Sequence, residues 1–523
     1  MVLGIVLHGA LAYTQLPWIV QDSQKWVGFD HTFEFIHTFR MPVFFLLSGF
    51  FTAMLWRRRG TLGLVWHRSK RILLPLLVSA ATIIPATMWS IQYANRVQSS
   101  VEVEQAEETE VLDIWRAAAE GSQTQLRARI DEGVDINATD PNFRTTPLGY
   151  AVLYGQTDIV EELLSAGAEP STQYGDGGTA LHTAMFLGRT EITSILLDAG
   201  ADFEVKNIRG ETPTNSLTVN EQITMMITGF LQLEDTFESI QSGRDEIRTL
   251  LEERGKPVVA PTPSERLRNL VNLLIAIPVF YHLWFLWHLC WFVVAFVVLA
   301  VITKPLSKLR RLAFLTAFPC CLLYLVPLTM WTQSFMDLRM GPDTAIGLIP
   351  APHVLAHYAV FYFFGSVLYS TFGSSLRVGW WGIPSLIIAV VLYPVALSID
   401  ESGTNEQGFF NLFTLIQSAM VWLTIYGLIG FFEIAANAEK RWIRFLSDSS
   451  YWLYLAHLPL IVVVQVWVLN WDAPSWMKFA VVTSSVFVVL IVSYRYLVRY
   501  TPIGTMLNGK RLRRTIEQRE SLE

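Results

Sequence analysis

His8 stands in an apolar run that opens at Val2, and Arg40 heads a second one, Phe39-Arg-Met-Pro-Val-Phe-Phe-Leu-Leu-Ser-Gly-Phe-Phe51. Ionisable groups are costly within lipid-length segments, so each is a candidate working residue. An imidazole titrates near neutral pH and could take the proton from an attacking hydroxyl. Arg40 lies next to Met41-Pro42, where proline suits the start of a helix. Its guanidinium could brace His8 or simply snorkel to the interface. Ser48-Gly49 is a small-residue step that lets helices approach closely, and this packing role is favoured over a nucleophilic Ser48. No G-x-S-x-G elbow frames that serine.

Three further constellations carry polar groups into apolar surroundings. Arg68 and Arg71 form an R-x-x-R pair before Ile72-Leu-Leu-Pro75, on one face of a helix. Forked guanidinium groups grip phosphates, and the alternative reading is topogenic positive charge like that of Arg57–Arg59. Tyr281-His-Leu-Trp-Phe-Leu-Trp-His-Leu289 puts His282 near the outer end of a span, with tryptophans that suit an interfacial belt. Ser450-Tyr-Trp-Leu-Tyr-Leu-Ala-His-Leu-Pro459 sets Tyr454 one turn before His457, as a hydrogen-bonded structural pair or as part of a site.

The elements that must position these groups are membrane spans. Of 523 residues, 52% are hydrophobic and only 16% charged, with 18 Trp and 32 Phe, as expected of a polytopic membrane protein. A helix crosses the hydrocarbon in about 20 residues, and ten such stretches are expected, near 2–20, 33–56, 72–94, 279–302, 312–332, 354–374, 379–398, 409–434, 448–470 and 476–498. Cations follow every even-numbered stretch: Arg57–Arg59 with Arg68, Lys70 and Arg71, then Lys304–Arg311, Arg377, Lys440–Arg444 and Lys510–Arg514. The positive-inside rule therefore puts both termini in the cytoplasm. Met1 runs into the first stretch without a basic region, so no cleavable signal peptide is expected.

A soluble segment interrupts the spans. Between Val101 and Ala260 there are 29 acidic and 11 basic residues, whereas the rest of the chain has 16 acidic and 28 basic. An acidic soluble part excludes nucleic acid as its partner and favours a basic protein. Within it, Thr146-Pro-Leu-Gly-Tyr-Ala151, Thr179-Ala-Leu-His-Thr-Ala184 and Thr212-Pro213 recur 33 residues apart, and Gly133, Gly167 and Gly200 recur at 34 and 33. This pattern resembles ankyrin repeats, of which about three are expected, closed by a helical cap over 220–254. His182 then belongs to the repeat and is structural. The fold class is all-α: a polytopic membrane helix bundle with an inserted α-solenoid. Its expected parts are a first membrane part over 1–96, the insert over 101–262, a second membrane part over 270–500 and a basic tail over 501–523. Because the insert follows an odd-numbered span, it is expected outside the cytoplasm. The three cysteines, Cys290, Cys320 and Cys321, lie in apolar stretches, and no Cys/His metal spacing appears.

Taken in order, the first-span histidine, F-R-M-P-x-F-F-L-L-S-G-F-F, the R-S-K-R before I-L-L-P, H-L-W-F-L-W and S-Y-x-x-Y-L-x-H-x-P resemble the membrane acyltransferase 3 family, nearest its glucan-modifying branch. The resemblance implies O-acyl transfer, of succinyl or acetyl groups, from cytoplasmic acyl-CoA to a hydroxyl of an extracytoplasmic glycan. It implies a bacterial inner membrane, with the insert in the periplasm. His8 would be the base, Arg40 and His282 would meet the acceptor sugar, and Arg68 and Arg71 would hold the coenzyme A phosphates. No bound cofactor is implied beyond this donor substrate. The arginine that the family carries about ten residues before its histidine has no counterpart among the seven residues preceding His8. Two other function classes stay open on residues alone. One is a transporter or channel, since membrane histidines also relay protons; the other is a membrane-anchored ankyrin binding module.

Overall fold

A computed structural model describes residues 1–509 except 17, 109–112, 141–143, 209, 220, 232, 234, 257–262, 303–315, 337, 339, 374–378, 402–410 and 436–439. The expected cations at 304–311, 377 and 510–514 lie outside the described residues, as does the start of the expected 312–332 span. The chain forms two compact units, one of Met1–Gln98 with Leu274–Glu523 and one of Ser99–Leu273.

The first unit is a helix bundle. Among the described residues, seven helices are long and apolar enough to cross a bilayer. The longest, Val27–Gln98, contains two of the expected spans and turns at Gly60, whose φ of 67° is a conformation glycine adopts without strain. The first expected span is shorter than its hydropathy suggests. Helix α1 covers Val2–Ala10 and tightens into a 3₁₀ turn over Leu11–Tyr13. There the Thr14 hydroxyl donates to the Leu11 carbonyl, and the chain leaves the helix ahead of Pro17.

Helix α2, Val27–Arg68, is central. A Cβ on its Gly49 would stand 1.8 Å from the Tyr362 carbonyl oxygen, and one on Gly365 would stand 2.0 Å from that of Leu46. Only glycine permits this crossing between α2 and Pro352–Phe372, and the Ser366 hydroxyl seals it by donating to the Gly49 carbonyl at 3.0 Å. The surrounding core is aromatic: Phe45, Tyr358, Phe361, Tyr362, Trp422 and Tyr426 are all fully enclosed. Trp422 keeps its indole N–H satisfied on the Thr329 hydroxyl at 2.9 Å.

The second unit stacks short helix pairs: Ile114–Glu120 with Gln123–Asp131, Pro147–Leu153 with Thr157–Ser165, and Ala180–Phe186 with Thr190–Asp198. A short oxygen-bearing side chain opens each inner helix, Asp113 in the first pair and threonine in the next two, and the recurring threonine explains the period. Thr146 caps the Gly149 N–H, and Thr179 forms a capping box with His182. Phe237–Glu253 follows as an amphipathic helix. From it the fully buried Arg244 donates twice to the Phe186 carbonyl, once to that of Val219 and once to the Thr224 hydroxyl. Burial, and to a lesser degree the neighbouring Arg248, push the Arg244 guanidinium down to about 10, which leaves it charged at neutral pH.

Candidate active site

One polar cluster of the bundle gathers side chains from both ends of the sequence. His8 on α1 meets His457 on Arg441–Val468, with His8 Nδ1 and His457 Nε2 3.0 Å apart. The proton positions follow from what faces each ring. His457 Nδ1 lies 2.8 Å from the Tyr454 carbonyl, which can only accept, so that nitrogen carries the hydrogen. A neutral His457 then offers Nε2 as an acceptor, and His8 Nδ1–H must donate to it. The lone pair of His8 is thereby fixed on Nε2, the tautomer that a general base needs.

His282 completes a triad of rings, edge-on to His457 at 5.2 Å. Its Nε2–H donates to the Leu455 carbonyl at 2.9 Å, and the Tyr454 hydroxyl donates to the His282 carbonyl at 2.8 Å. The Leu455 carbonyl is free to accept because Pro459, four residues on, has no N–H to return to it. The proline of the S-Y-x-x-Y-L-x-H-x-P element thus sets the tautomer of a histidine 173 residues away. It leaves His282 Nδ1 buried as an unprotonated acceptor without a hydrogen-bond partner.

Arg40 lies against this cluster. Its Nη1 is 3.1 Å from where a Cβ on Gly4 would be, and His457 Nε2 is 3.8 Å from the same point, so the bare face of α1 at Gly4 admits the guanidinium. Arg40 Nε is buried and unpartnered, as is His37 Nδ1 one turn earlier on α2. Buried polar atoms are nearly always paired, so a concentration of unpaired ones marks a place where a polar ligand could be received.

Two residues that the motifs did not reveal hold His8 in place. Gln465 Nε2 donates to the carbonyls of His8 and Gly9 at 3.0 and 3.3 Å, where α1 loses its helical partners. Trp18 donates its indole N–H to Gln465 Oε1 at 3.0 Å and stacks on the His8 ring at 5.7 Å. A glutamine in an apolar span was the available signal, since such a group must find a partner within the bundle.

Arg68 and Arg71 do not point together. The turn that joins them, Ser69–Leu73, is π-helical, which alters the i, i+3 alignment of a regular helix. Arg68 Nη2 reaches the Thr52 hydroxyl at 2.8 Å and the Ser48 carbonyl at 3.4 Å, and its Nε is buried without a partner. Arg71 Nη1 instead caps the helix Pro502–Asn508 through the Thr505 and Met506 carbonyls at 2.7 and 2.8 Å. Ser48 belongs to the Arg68 end: it lies two turns of α2 beyond Arg40, about 12 Å along the axis. The helix crossing beside it uses Gly49.

An all-α, multi-pass bundle with buried histidines and arginines, interrupted by ankyrin repeats, defines a polytopic membrane protein with an inserted repeat domain. The chain belongs to the acyltransferase 3 family: a model described as an acyltransferase domain matches residues 1–104 and 255–497. Ankyrin repeats, in three copies, match residues 114–207. The chain is similar to glucans biosynthesis protein C of Escherichia coli strain SMS-3-5 / SECEC, 35% identical over 95 residues, 18% of this chain and 25% of that protein. The counterpart of Escherichia coli strain K12 is 34% identical over the same length and shares. The matching stretch therefore spans a quarter of these relatives. A solved structure, the crystal structure of the ankyrin repeat domain of Bcl-3, described as a unique member of the IkappaB protein family, is 27% identical, covering 23% of this chain and 52% of that one at a TM-score of 0.20.

Proposed function

We propose that the protein transfers an acyl group, acetyl or succinyl, from acyl-CoA to a hydroxyl of an extracytoplasmic glycan, with both termini and the donor in the cytoplasm and the insert outside. The observation that carries this reading is the histidine pair, whose hydrogen bonds commit the His8 lone pair to Nε2. In the reaction, His8 Nε2 takes the acceptor hydroxyl proton as its oxygen bonds to the thioester carbonyl carbon. The Arg40 guanidinium stabilises the oxyanion that forms. Collapse breaks the C–S bond, and the His8 imidazolium returns the proton to the leaving sulfur, giving an ester and free coenzyme A. His457 orients His8 throughout, and His282 Nδ1 accepts a hydrogen bond from a second hydroxyl of the sugar.

The donor reading rests on Arg68. From Ser48 and Thr52, which it contacts, to Arg40 is about 12 to 18 Å along α2. A phosphate held at Arg68 and a thioester delivered to His8 call for a long flexible arm between them, which pantetheine supplies. Arg71 supports this end by fixing the adjoining helix, with Arg71 Nη2 left to approach a phosphate. No serine ester is needed, since Ser48 lies at the donor end. The acidic insert serves as an accessory that binds a basic protein partner, which capture at low and high salt tests.

The test compares membranes holding the wild type or His8→Ala, with labelled acetyl-CoA and succinyl-CoA and glycan acceptors. Transfer by the wild type, reduced about 10²- to 10⁴-fold in the variant, supports the reading. Equal transfer in both removes His8 from the mechanism. No transfer in either, at verified expression, favours a transporter.

A further inference from the structure

Beyond the histidine cluster, the loop that follows α1 and the start of the helix Ser475–Ser493 face each other across a cleft of about 380 Å³. Gln24, Lys25 and Trp26 line one wall, and Pro474, Ser475 and Trp476 the other. The two tryptophans are 57% and 59% exposed, so their indole faces are open to a ligand. The lining also includes a residue with an amide, one with an ammonium and one with a hydroxyl, Gln24, Lys25 and Ser475. Flat aromatic faces with adjacent hydrogen-bonding groups complement a pyranose, whose axial C–H bonds form an apolar face bordered by hydroxyls.

The walls are fixed to one another. Lys478, one turn into its helix, donates to Asp22 Oδ2 at 2.8 Å and to the Leu469 carbonyl at 2.9 Å, with both charged side chains almost wholly buried. A buried ion pair is a weak source of net stability, and its best-attested use is to fix one arrangement. Asp22 Oδ1 also accepts from the Gln24 N–H at 2.9 Å, carrying that constraint into the cleft. Trp26 stands edge-on to Phe29 at 5.2 Å, and Phe29 packs on Phe479, the residue after Lys478.

The loop that lines the cleft is also tied to the helix that carries His8. The Asp22 N–H donates to the Ala12 carbonyl at 2.9 Å and the Trp26 N–H to that of Tyr13 at 3.0 Å, in the turn that ends α1. Trp18 of the same loop stacks on His8.

We infer that this cleft is a sugar subsite, in which Trp26 and Trp476 hold a pyranose unit of an oligosaccharide acceptor, on the loop that follows the His8 helix. The inference rests on the acyl-transfer reading for the identity of the chain as acceptor, and names the acceptor as a polymer gripped away from its reacting hydroxyl.

The test uses the full-length protein in lipid nanodiscs, with laminarihexaose, cellohexaose, maltohexaose and free glucose as probes. Trp26→Ala and Trp476→Ala should each raise the KM for at least one hexasaccharide about tenfold, with the KM for acyl-CoA and transfer to glucose unchanged. Trp476→Phe, which keeps an aromatic face, should restore part of the loss. Titration calorimetry with the same sugars separates this proposal from the acyl-transfer reading. Hexasaccharide binding abolished in the double variant, without transfer by the wild type, upholds the subsite and sinks that reading. An unchanged KM in the variants, or no hexasaccharide binding by the wild type, overturns the subsite. Quenching of both indoles by brominated lipid, with KM unchanged, makes them interfacial anchors instead.

Discussion

The ankyrin unit and the membrane unit use the same side chains in opposite ways. In the repeats, His182 Nδ1 accepts from the Thr179 N–H at 3.1 Å, and its Nε2–H donates to the Glu211 carbonyl at 3.1 Å, so neither nitrogen remains available. In the bundle, His8 and His282 each use one nitrogen on protein and keep the other as a bare acceptor. One arginine of the repeats differs from two of the bundle in the same way, although Arg129 and Arg189 of the repeats also bury an unpartnered Nε while their terminal nitrogens pair with Glu132 and Asp235. Arg244 engages Nε and both terminal nitrogens, whereas Arg40 and Arg68 bury an Nε without a partner. Buried polar groups that are fully paired support a fold; groups left partly unpaired cost the fold free energy and are kept where a ligand repays it.

The sharpest way to break this contrast is to truncate one arginine from each side. Arg40→Ala should lower acyl transfer about 10³-fold, as loss of an oxyanion-stabilising cation does, while thermal unfolding of the detergent-solubilised protein moves little. Arg40→Lys keeps the charge without the fork and should recover only part of the activity. A large fall in unfolding temperature with Arg40→Ala would mean that Arg40 is a structural cation like Arg244. Arg244→Ala should do the reverse. It strands two carbonyls and a hydroxyl in a closed core, and should destabilise the repeats by about 3 kcal/mol, read as accelerated proteolysis within the insert.

Pro459→Ala sharpens the comparison from within the bundle. Alanine returns an N–H to the Leu455 carbonyl and competes with His282 Nε2 for it. Proline inside a helix is about 3 kcal/mol less favourable than alanine. The variant should therefore unfold at a higher temperature yet transfer about tenfold more slowly, since His282 loses its fixed tautomer. Undiminished transfer would show that the His282 orientation does not matter to the reaction.

How much of this was legible in the chain depends on how local the determinant is. The repeats were readable because Thr146, Thr179 and Thr212 each cap their own helix three residues on, and a local rule repeated at 33 residues leaves a visible period. The ionisable groups His8, Arg40, His282 and His457 stood out against their apolar surroundings, but their meeting did not. The His8–His457 contact joins residues 449 positions apart, and only packing of α1 against the ninth expected span creates it. Gln465 and Trp18 do not stand out, because each suits a bland interfacial or packing role when taken alone. Pro459 is plain in its motif, yet its effect lies on a carbonyl four residues back and on a ring from another helix. The regular-helix expectation for Arg68 and Arg71 failed at the π-turn, which nothing in Ser69–Leu73 announces.

The smallest effect is expected where a histidine is wholly engaged. His182→Ala removes the side-chain half of the Thr179 capping box and the link to the Glu211 carbonyl, which joins one repeat to the next. Caps of this kind contribute about 1 kcal/mol, and the variant should lose about that much stability. Asn215 fills the same place in the following repeat, accepting from the Thr212 N–H at 2.7 Å, so an acceptor rather than an imidazole is what the position requires. His182→Asn should therefore recover most of the loss, measured by hydrogen exchange across Thr179–Phe186. No such recovery would mean that the contact through Nε2 to Glu211, which asparagine is too short to make, dominates. His8→Asn offers the counterpart: an asparagine there can occupy the space and bond to His457, but has no basic nitrogen, and transfer should stay as low as in His8→Ala. A histidine that asparagine replaces is a cap, and one that it cannot replace is a base.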